Sequence, residues 1–220
     1  MSIISKVINV TLDEAKELYN SGNETLKELA LKAFTEKELK VPHYSEIKTF
    51  EDAVKAVGMN LDFESDVIAD IEITSKAMAA MYKLNIIRKA LNYWHDLHLA
   101  KDPKDTSIYY PCNQFVTENS TYYEDDLNSG EVEIIGKFKS GEIEYNVIGG
   151  HATIGMNLGL GCFSPSEDVG FADANFAFLG CTNKEITMHF GKYFGMLIIE
   201  AMYGRLDGFE VIEDKYGCLK

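Results

Sequence analysis

The stretch EVEIIGKFKSGEIEYNV, residues 131–147, decides the fold of this chain. Apolar and polar side chains alternate on both sides of Ser140 and Gly141, with Val132 and Ile134 before the turn and Ile143 after it. An alternation with a period of two, interrupted by a glycine-containing turn, is typical of a β-hairpin. The sequence therefore predicts an antiparallel sheet built around this hairpin.

Working outward from the hairpin, the pattern changes from a helical period to a strand period near Pro103. Residues 1–102 carry helical spacing, whereas residues 103–180 are rich in glycine, aromatic and β-branched residues. A further apolar helix is predicted at 183–203. Helices followed by strands and a closing helix indicate an α+β fold. We predict a helical region, 1–102, and an antiparallel sheet with a long buried C-terminal helix, 103–220, together forming one compact unit.

Helix starts are marked by hydroxyl residues followed three positions later by an acidic residue, the pattern of a capping box. Such pairs, or a single capping residue, precede each predicted helix: Thr11 with Glu14, Asn23, Thr35 with Glu38, Thr49 with Asp52, Thr74 or Ser75, and Thr182 with Glu185. Residues 59–72 carry five acidic side chains and no basic one, and we expect them to form an acidic connection. Residues 209–212 are expected to add an edge strand.

The first helical stretch, TLDEAKELYNSGNETLKELALKAFTEKEL at residues 11–39, also carries a family resemblance. It resembles the N-terminal segments of small acidic proteins of bacteriophages and integrated elements of gut Bacteroidetes. Weaker similarities follow in SEIKTFEDAVKAVGMN, in MYKLNIIRKALN and in FAFLGCTNKEITMHFGKYFGMLIIE. In that family a helical start precedes a tyrosine-rich, strand-rich half closed by a helix. The resemblance implies a genomic context and supplies no catalytic residues.

Composition limits the possible functions. The 220 residues are 46% hydrophobic and have a formal net charge of −14. The apolar content suffices for a sizeable core, and the negative charge disfavours direct binding to nucleic acid, which needs basic patches against phosphate. No secretion leader and no apolar run of about 18 residues is present. We therefore expect a cytoplasmic protein that binds neither membranes nor nucleic acid directly.

Metal and cysteine chemistry has weak support in the sequence. The four cysteines, which form no CxxC pair, are expected to be free thiols: Cys112, Cys162, Cys181 and Cys218. His95, Asp96 and His98 are the most metal-like group, but the HExxH motif of a hydrolytic zinc helix is absent. We expect no metal, and polar residues at the end of a helix explain this group.

Catalytic motifs are equally sparse, and we expect no cofactor and no catalytic residue. The glycine-rich stretch 149–162 matches neither a phosphate-binding loop nor a dinucleotide fingerprint, and glycines in strands usually mark tight packing. Cys181 precedes a helix N-terminus, where a thiolate is favoured, but His189 lies too far along the helix to act as its base. An aromatic group is expected either in the sheet core or in recognition: Tyr109, Tyr110, Phe115, Tyr122 and Tyr123.

Residues 118–144 are the strongest candidate for partner binding. Eight carboxylates against two lysines should project a negative potential. Such a surface either keeps the protein soluble or binds a basic protein, for which it can imitate nucleic acid. The candidate contact residues are Glu124, Asp125, Asp126, Glu131, Tyr122 and Tyr123. We therefore expect an accessory protein of a phage or mobile element that binds another macromolecule. A small-molecule enzyme with a site in the glycine-rich half, or a virion component, are the alternatives.

Overall fold

The computed structural model describes residues 10–92, 108–117, 124–130, 132–155, 169–171, 179–181, 183–204 and 209–219. The chain separates into two compact units, Met1–His43 and Tyr44–Lys220. The change of composition near Pro103 therefore does not coincide with the division into units. The helices that follow Tyr44 share a unit with the sheet.

The first unit contains three short helices, α1 (Leu12–Asn20), α2 (Glu24–Ala33) and α3 (Glu36–Lys40). The predicted caps are confirmed, because the hydroxyls of Thr11 and Thr35 and the amide oxygen of Asn23 accept bonds from the first turns. The three helices enclose a small apolar centre of Ala15, Ala30 and Leu39, each at most 2% exposed.

The second unit begins with a 3-10 turn, Tyr44–Glu46, and three helices, α4 (Phe50–Ala56), α5 (Leu61–Thr74) and α6 (Lys76–Leu91). The predicted Thr49 capping box and the Ser75 cap are confirmed. Gly58 ends α4 with φ of 71°, a conformation that a residue without Cβ adopts at little cost.

The acidic connection expected at 59–72 is wrong, since α5 occupies this stretch. Asn60 caps the helix, and Ile68 is buried. Glu64, although charged, is only 3% exposed and accepts a hydrogen bond of 2.7 Å from the Tyr82 hydroxyl of α6. The carboxylate is inside the unit because this tertiary bond satisfies it, which a hydrophobic period does not reveal.

The second half forms a five-stranded antiparallel sheet with the order β4-β1-β3-β2-β5. The strands are β1 (Ile108–Thr117), β2 (Glu133–Ser140), β3 (Ile143–Gly155), β4 (Val169–Phe171) and β5 (Phe209–Asp214). The predicted hairpin is confirmed as β2 and β3, and β5 is the expected edge strand. A short helix, α7 (Glu124–Ser129), precedes β2.

Strand β1 runs without a break through Pro111. Pro111 is opposite Ala152 of β3, whereas β4 pairs only with Gln114–Val116. Proline lacks the N–H that would bond to a neighbouring strand. Because β4 does not reach Pro111, no hydrogen bond to β4 is lost there, and the strand continues. A register shift between Cys112 and Gln114 places a bulge in β3 at Gly149 and Gly150, opposite Asn113.

The long C-terminal helix is present as two helices, α8 (Lys184–Tyr193) and α9 (Gly195–Tyr203), with a break at Phe194. Asn183 accepts bonds from the first-turn amides of α8, and Thr182 of the expected capping box lies outside the described residues. Helices α8 and α9 pack on the sheet, α6 packs on α9, and α4 and α5 pack on α6. The α+β prediction is confirmed.

Candidate binding groove

A groove of about 690 Å³ lies where α6, α9 and the edge strand β5 meet. Its floor is aromatic and aliphatic, with Phe115 and Phe138 from the sheet and Leu197 and Ile199 from α9. The two phenylalanine rings pack edge to face at 5.9 Å between centroids. A volume of this order accommodates a small ligand or several inserted side chains, since such sites span roughly 300–1,000 Å³.

Close packing of the sheet against α9 sets the depth of the groove. Gly136 of β2 lies beneath Met196 of α9, and an added Cβ there would also stand 2.7 Å from the Glu213 carbonyl oxygen. A larger residue at 136 would push α9 or β5 away from the sheet. The glycine therefore brings the helix and the edge strand together at the floor.

The outer wall of the groove depends on a bulge in β5. Val211 is opposite Phe138 and Glu213 is opposite Lys137, so that Ile212 is the inserted residue. Consecutive side chains of a regular strand point to opposite faces, and a bulge changes that direction locally. Val211 and Ile212 both line the groove and remain 42% and 47% exposed.

Charged residues surround this apolar floor. Carboxylates outnumber lysines four to two in the lining, which contains Glu72, Glu200, Glu210, Asp214, Lys76 and Lys83. Lys76 and Glu72 form an ion pair of 3.8 Å, and their side chains are nearly half exposed, so the pair contributes little stability. Asp214 accepts a hydrogen bond of 2.9 Å from the Leu219 amide, which folds the tail over the strand end.

Glu200 differs from the other carboxylates. Its Oε1 atom is buried and has no hydrogen-bond partner in the described part of the chain. No ion pair joins Glu200 to Lys76 or Lys83, although both lysines line the same groove. A buried carboxylate oxygen without a partner costs roughly 1–3 kcal/mol or more. The wall of the groove therefore contains a carboxylate with one enclosed oxygen that no described residue of this chain satisfies.

A second cavity of about 370 Å³ adjoins the groove, because Glu72, Lys83 and Leu197 line both. At its other end, Tyr216 packs on Tyr193 with ring centroids 4.5 Å apart. The two cavities extend along the same side of α6.

The Glu133 carboxylate anchors the tail that borders both cavities. It pairs with Lys192 at 3.3 Å and with Lys215 at 3.0 Å, and it accepts a hydrogen bond from the Tyr216 hydroxyl. This acidic residue of the 118–144 stretch is therefore engaged internally, by two lysines that lie outside that stretch.

Of the predicted partner-binding residues, Glu124 and Asp125 have described side chains, and neither lines the groove. Glu124 and Asp125 lie exposed on α7, and Asp126 belongs to the same helix, although its side chain is not described. Tyr122, Tyr123 and Glu131 lie outside the described residues. Their role in binding stays a prediction.

Burial opposes the thiolate that a helix N-terminus would favour at Cys181. Cys181 is fully buried, and burial raises the pKa of its thiol above the usual range. The Asn92 amide donates to Sγ at 3.2 Å, and His189 donates from Nε2 to the Ile47 carbonyl oxygen at 2.7 Å. The cost of burying charge outweighs the helix effect.

Other candidate sites are structural or lie outside the described residues. Gly149 allows close contact between β3 and α8, since an added Cβ would lie 2.7 Å from the Gly191 carbonyl oxygen. Residues 95–98 and 156–162 are not described. Within the described ranges, no three potential ligands approach closely enough to hold a metal ion, and no helix is long and apolar enough to cross a membrane.

No protein-family model, curated protein or solved structure matches this chain. One feature of the sequence points to the groove, because Glu200 is the single charged residue within the apolar stretch 196–203. The contributions of Val211 and Ile212 depend on the bulge and have no comparable signal.

Proposed function

We propose that this chain is a cytoplasmic accessory protein of a bacteriophage or integrated element and that it binds another protein through the groove between α6, α9 and β5. The observation that carries the proposal is the exposure of two apolar side chains, Val211 and Ile212, at the wall of an apolar cavity. Exposed apolar surface that continues into a cavity is characteristic of interaction sites.

Neighbouring exposure supports a protein partner over a small ligand. Ile73 at the end of α5 is 85% exposed and Met78 of α6 is 58% exposed. They are next to the lining residues Glu72 and Ala79 in the sequence, and neither lines the cavity itself. A small ligand uses only the concave part, whereas a protein partner also covers the rim.

The proposal is tested by selecting random peptides displayed on yeast against the full chain. Peptides that bind the groove should lose binding to the double variant Val211→Ser/Ile212→Ser. Ile143→Ser is the matched control, since Ile143 is 51% exposed and lies at the hairpin end of β3. Peptides whose binding is insensitive to the double variant would refute the groove as the partner site.

Thermal unfolding of the three proteins provides the folding control. All replaced side chains are partly exposed, so each melting temperature should stay close to that of the native chain. If the double variant melts much earlier, the same selection is repeated with Ile212→Ser alone.

A further inference from the structure

We propose that Glu200 determines the specificity of the groove and that it selects a partner segment which inserts a lysine or arginine side chain among apolar residues. This inference rests on the proposed function, since it requires that the groove be the partner site. It adds the chemistry of the inserted residue.

One oxygen of the Glu200 carboxylate, Oε1, has no solvent contact and no hydrogen-bond partner in the described residues. The side chain as a whole is half-buried. The Glu200 backbone is satisfied, because its carbonyl oxygen accepts the Gly204 amide at 2.9 Å. The unsatisfied hydrogen-bond acceptor is therefore in the side chain, which lines the groove, and not in the backbone.

Glu200 lies in the last turn of α9. The free carbonyl groups at this end of the helix make a negative charge unfavourable. An acidic residue at this place lowers stability. A cation that enters the groove would offset the negative charge at the helix end.

The charges that line the groove favour a positively charged partner side chain. The lining contains four carboxylates and two lysines, and one lysine already pairs with Glu72. The remaining excess is negative. A positively charged side chain is consequently attracted to the groove, and an acidic one is repelled.

Apolar side chains line the same groove as the Glu200 carboxylate. They include Phe115, Phe138 and Ile199. Lysine and arginine bury their aliphatic stems on apolar surface and extend a charged end beyond it. Arginine can also donate two parallel bonds to one carboxylate. Both side chains match a groove whose polar group lies among aromatic and aliphatic neighbours.

The experiment uses peptides selected on the native chain whose binding requires Val211 and Ile212. Each peptide is resynthesised with its basic residue replaced by norleucine, and both forms are titrated against the native chain and Glu200→Gln. We expect the replacement to weaken binding to the native chain by roughly tenfold or more, because a desolvated charge pair is lost. The replacement should have little effect on binding to Glu200→Gln.

Glu142→Gln is the control for charge alone, since Glu142 lies exposed at the turn between β2 and β3. It should retain the tenfold preference. The inference is overturned if groove-dependent peptides carry no excess of lysine or arginine, or if norleucine weakens binding equally in both proteins. In that case the proposed function still stands, whereas a selection without groove-dependent peptides removes the function itself.

Discussion

The side-chain amide of Asn113, in β1 opposite the bulge of β3, donates a hydrogen bond of 2.9 Å to the backbone carbonyl oxygen of Gly191 in α8. In an unbroken helix that carbonyl would accept the amide of Gly195, four residues later. The inserted amide therefore takes the place of a backbone donor, a recognised cause of helix breaks. The break separates α8 from α9 and directs α9 toward the groove.

Replacing Asn113 with alanine should destabilise the protein by about 1–3 kcal/mol, because the Gly191 carbonyl loses a buried donor. Asn113 is 1% exposed, so water cannot readily replace the amide. The measurement is the urea midpoint, with Asn85→Ala at an exposed position of α6 as the control. Equal midpoints for the two variants would contradict the role of this bond.

Gly195→Ala should also be destabilising, by about 1–3 kcal/mol, the usual cost of overpacking a buried site. A Cβ at this position would overlap the Asn113 amide and the end of Ile135. Combining Gly195→Ala with Asn113→Ala removes one of the overlapping groups. The double variant should therefore be less destabilised than the sum of the single variants, and strict additivity would argue against a direct contact.

Glu200→Gln should stabilise the protein, in contrast to most substitutions of partly buried residues. The amide keeps the shape of the carboxylate but removes a charge from the last turn of α9, where one carboxylate oxygen is buried without a partner among the described residues. A gain of about 1 kcal/mol in the free energy of unfolding is expected. Glu142→Gln should change it by less than about 0.5 kcal/mol. A destabilised Glu200→Gln protein would mean that the carboxylate has an internal partner.

The stability of the second unit should fall as the pH rises above about 8.5, the ordinary pKa of a cysteine thiol. Burial raises the pKa of Cys181 in the folded protein, so the unfolded chain releases this proton first. Fewer protons are then bound in the unfolded state, and the free energy of unfolding decreases with pH. Urea midpoints at neutral and alkaline pH test this effect. Cys181→Ala should make the decrease shallower, and an unchanged slope would assign it to other groups.

The acidic residues near α7 supply a fifth prediction. Changing Glu124, Asp125, Asp126 and Glu131 to their amides should slow association with a basic partner and reduce its salt dependence, because exposed charges are screened within about 10 Å at 0.1 M salt. Association rates of basic and neutral peptides, measured at two salt concentrations, check this. Identical rates for native and variant chains would show that the acidity serves solubility alone.

Local signals in the sequence were sufficient for most helix ends and for the central hairpin. The capping boxes at Thr11, Thr35 and Thr49 act over three residues, and the turn at 140–141 joins strands whose alternation is visible in the chain. Such features depend on neighbours in the sequence, so a sequence pattern contains all the interacting groups.

Helix α5 was missed because five of its fourteen residues are acidic and none is basic, a composition that suggested a connection between helices. Its stabilising contact, between Glu64 and the Tyr82 hydroxyl, joins residues 18 positions apart. Only the folded unit places the tyrosine beside the carboxylate, and only there does an acidic residue become a favourable interior group.

The sequence alone determined where most helices begin, where the hairpin turns and that strands follow helices, since these properties arise from neighbouring residues. Tertiary structure decided the rest. It broke the last helix through Asn113, bulged the edge strand at Ile212 and enclosed one oxygen of the Glu200 carboxylate without a partner among the described residues. Each of these features requires groups distant in the chain to meet, and their geometry follows from packing and hydrogen bonding that no local pattern records.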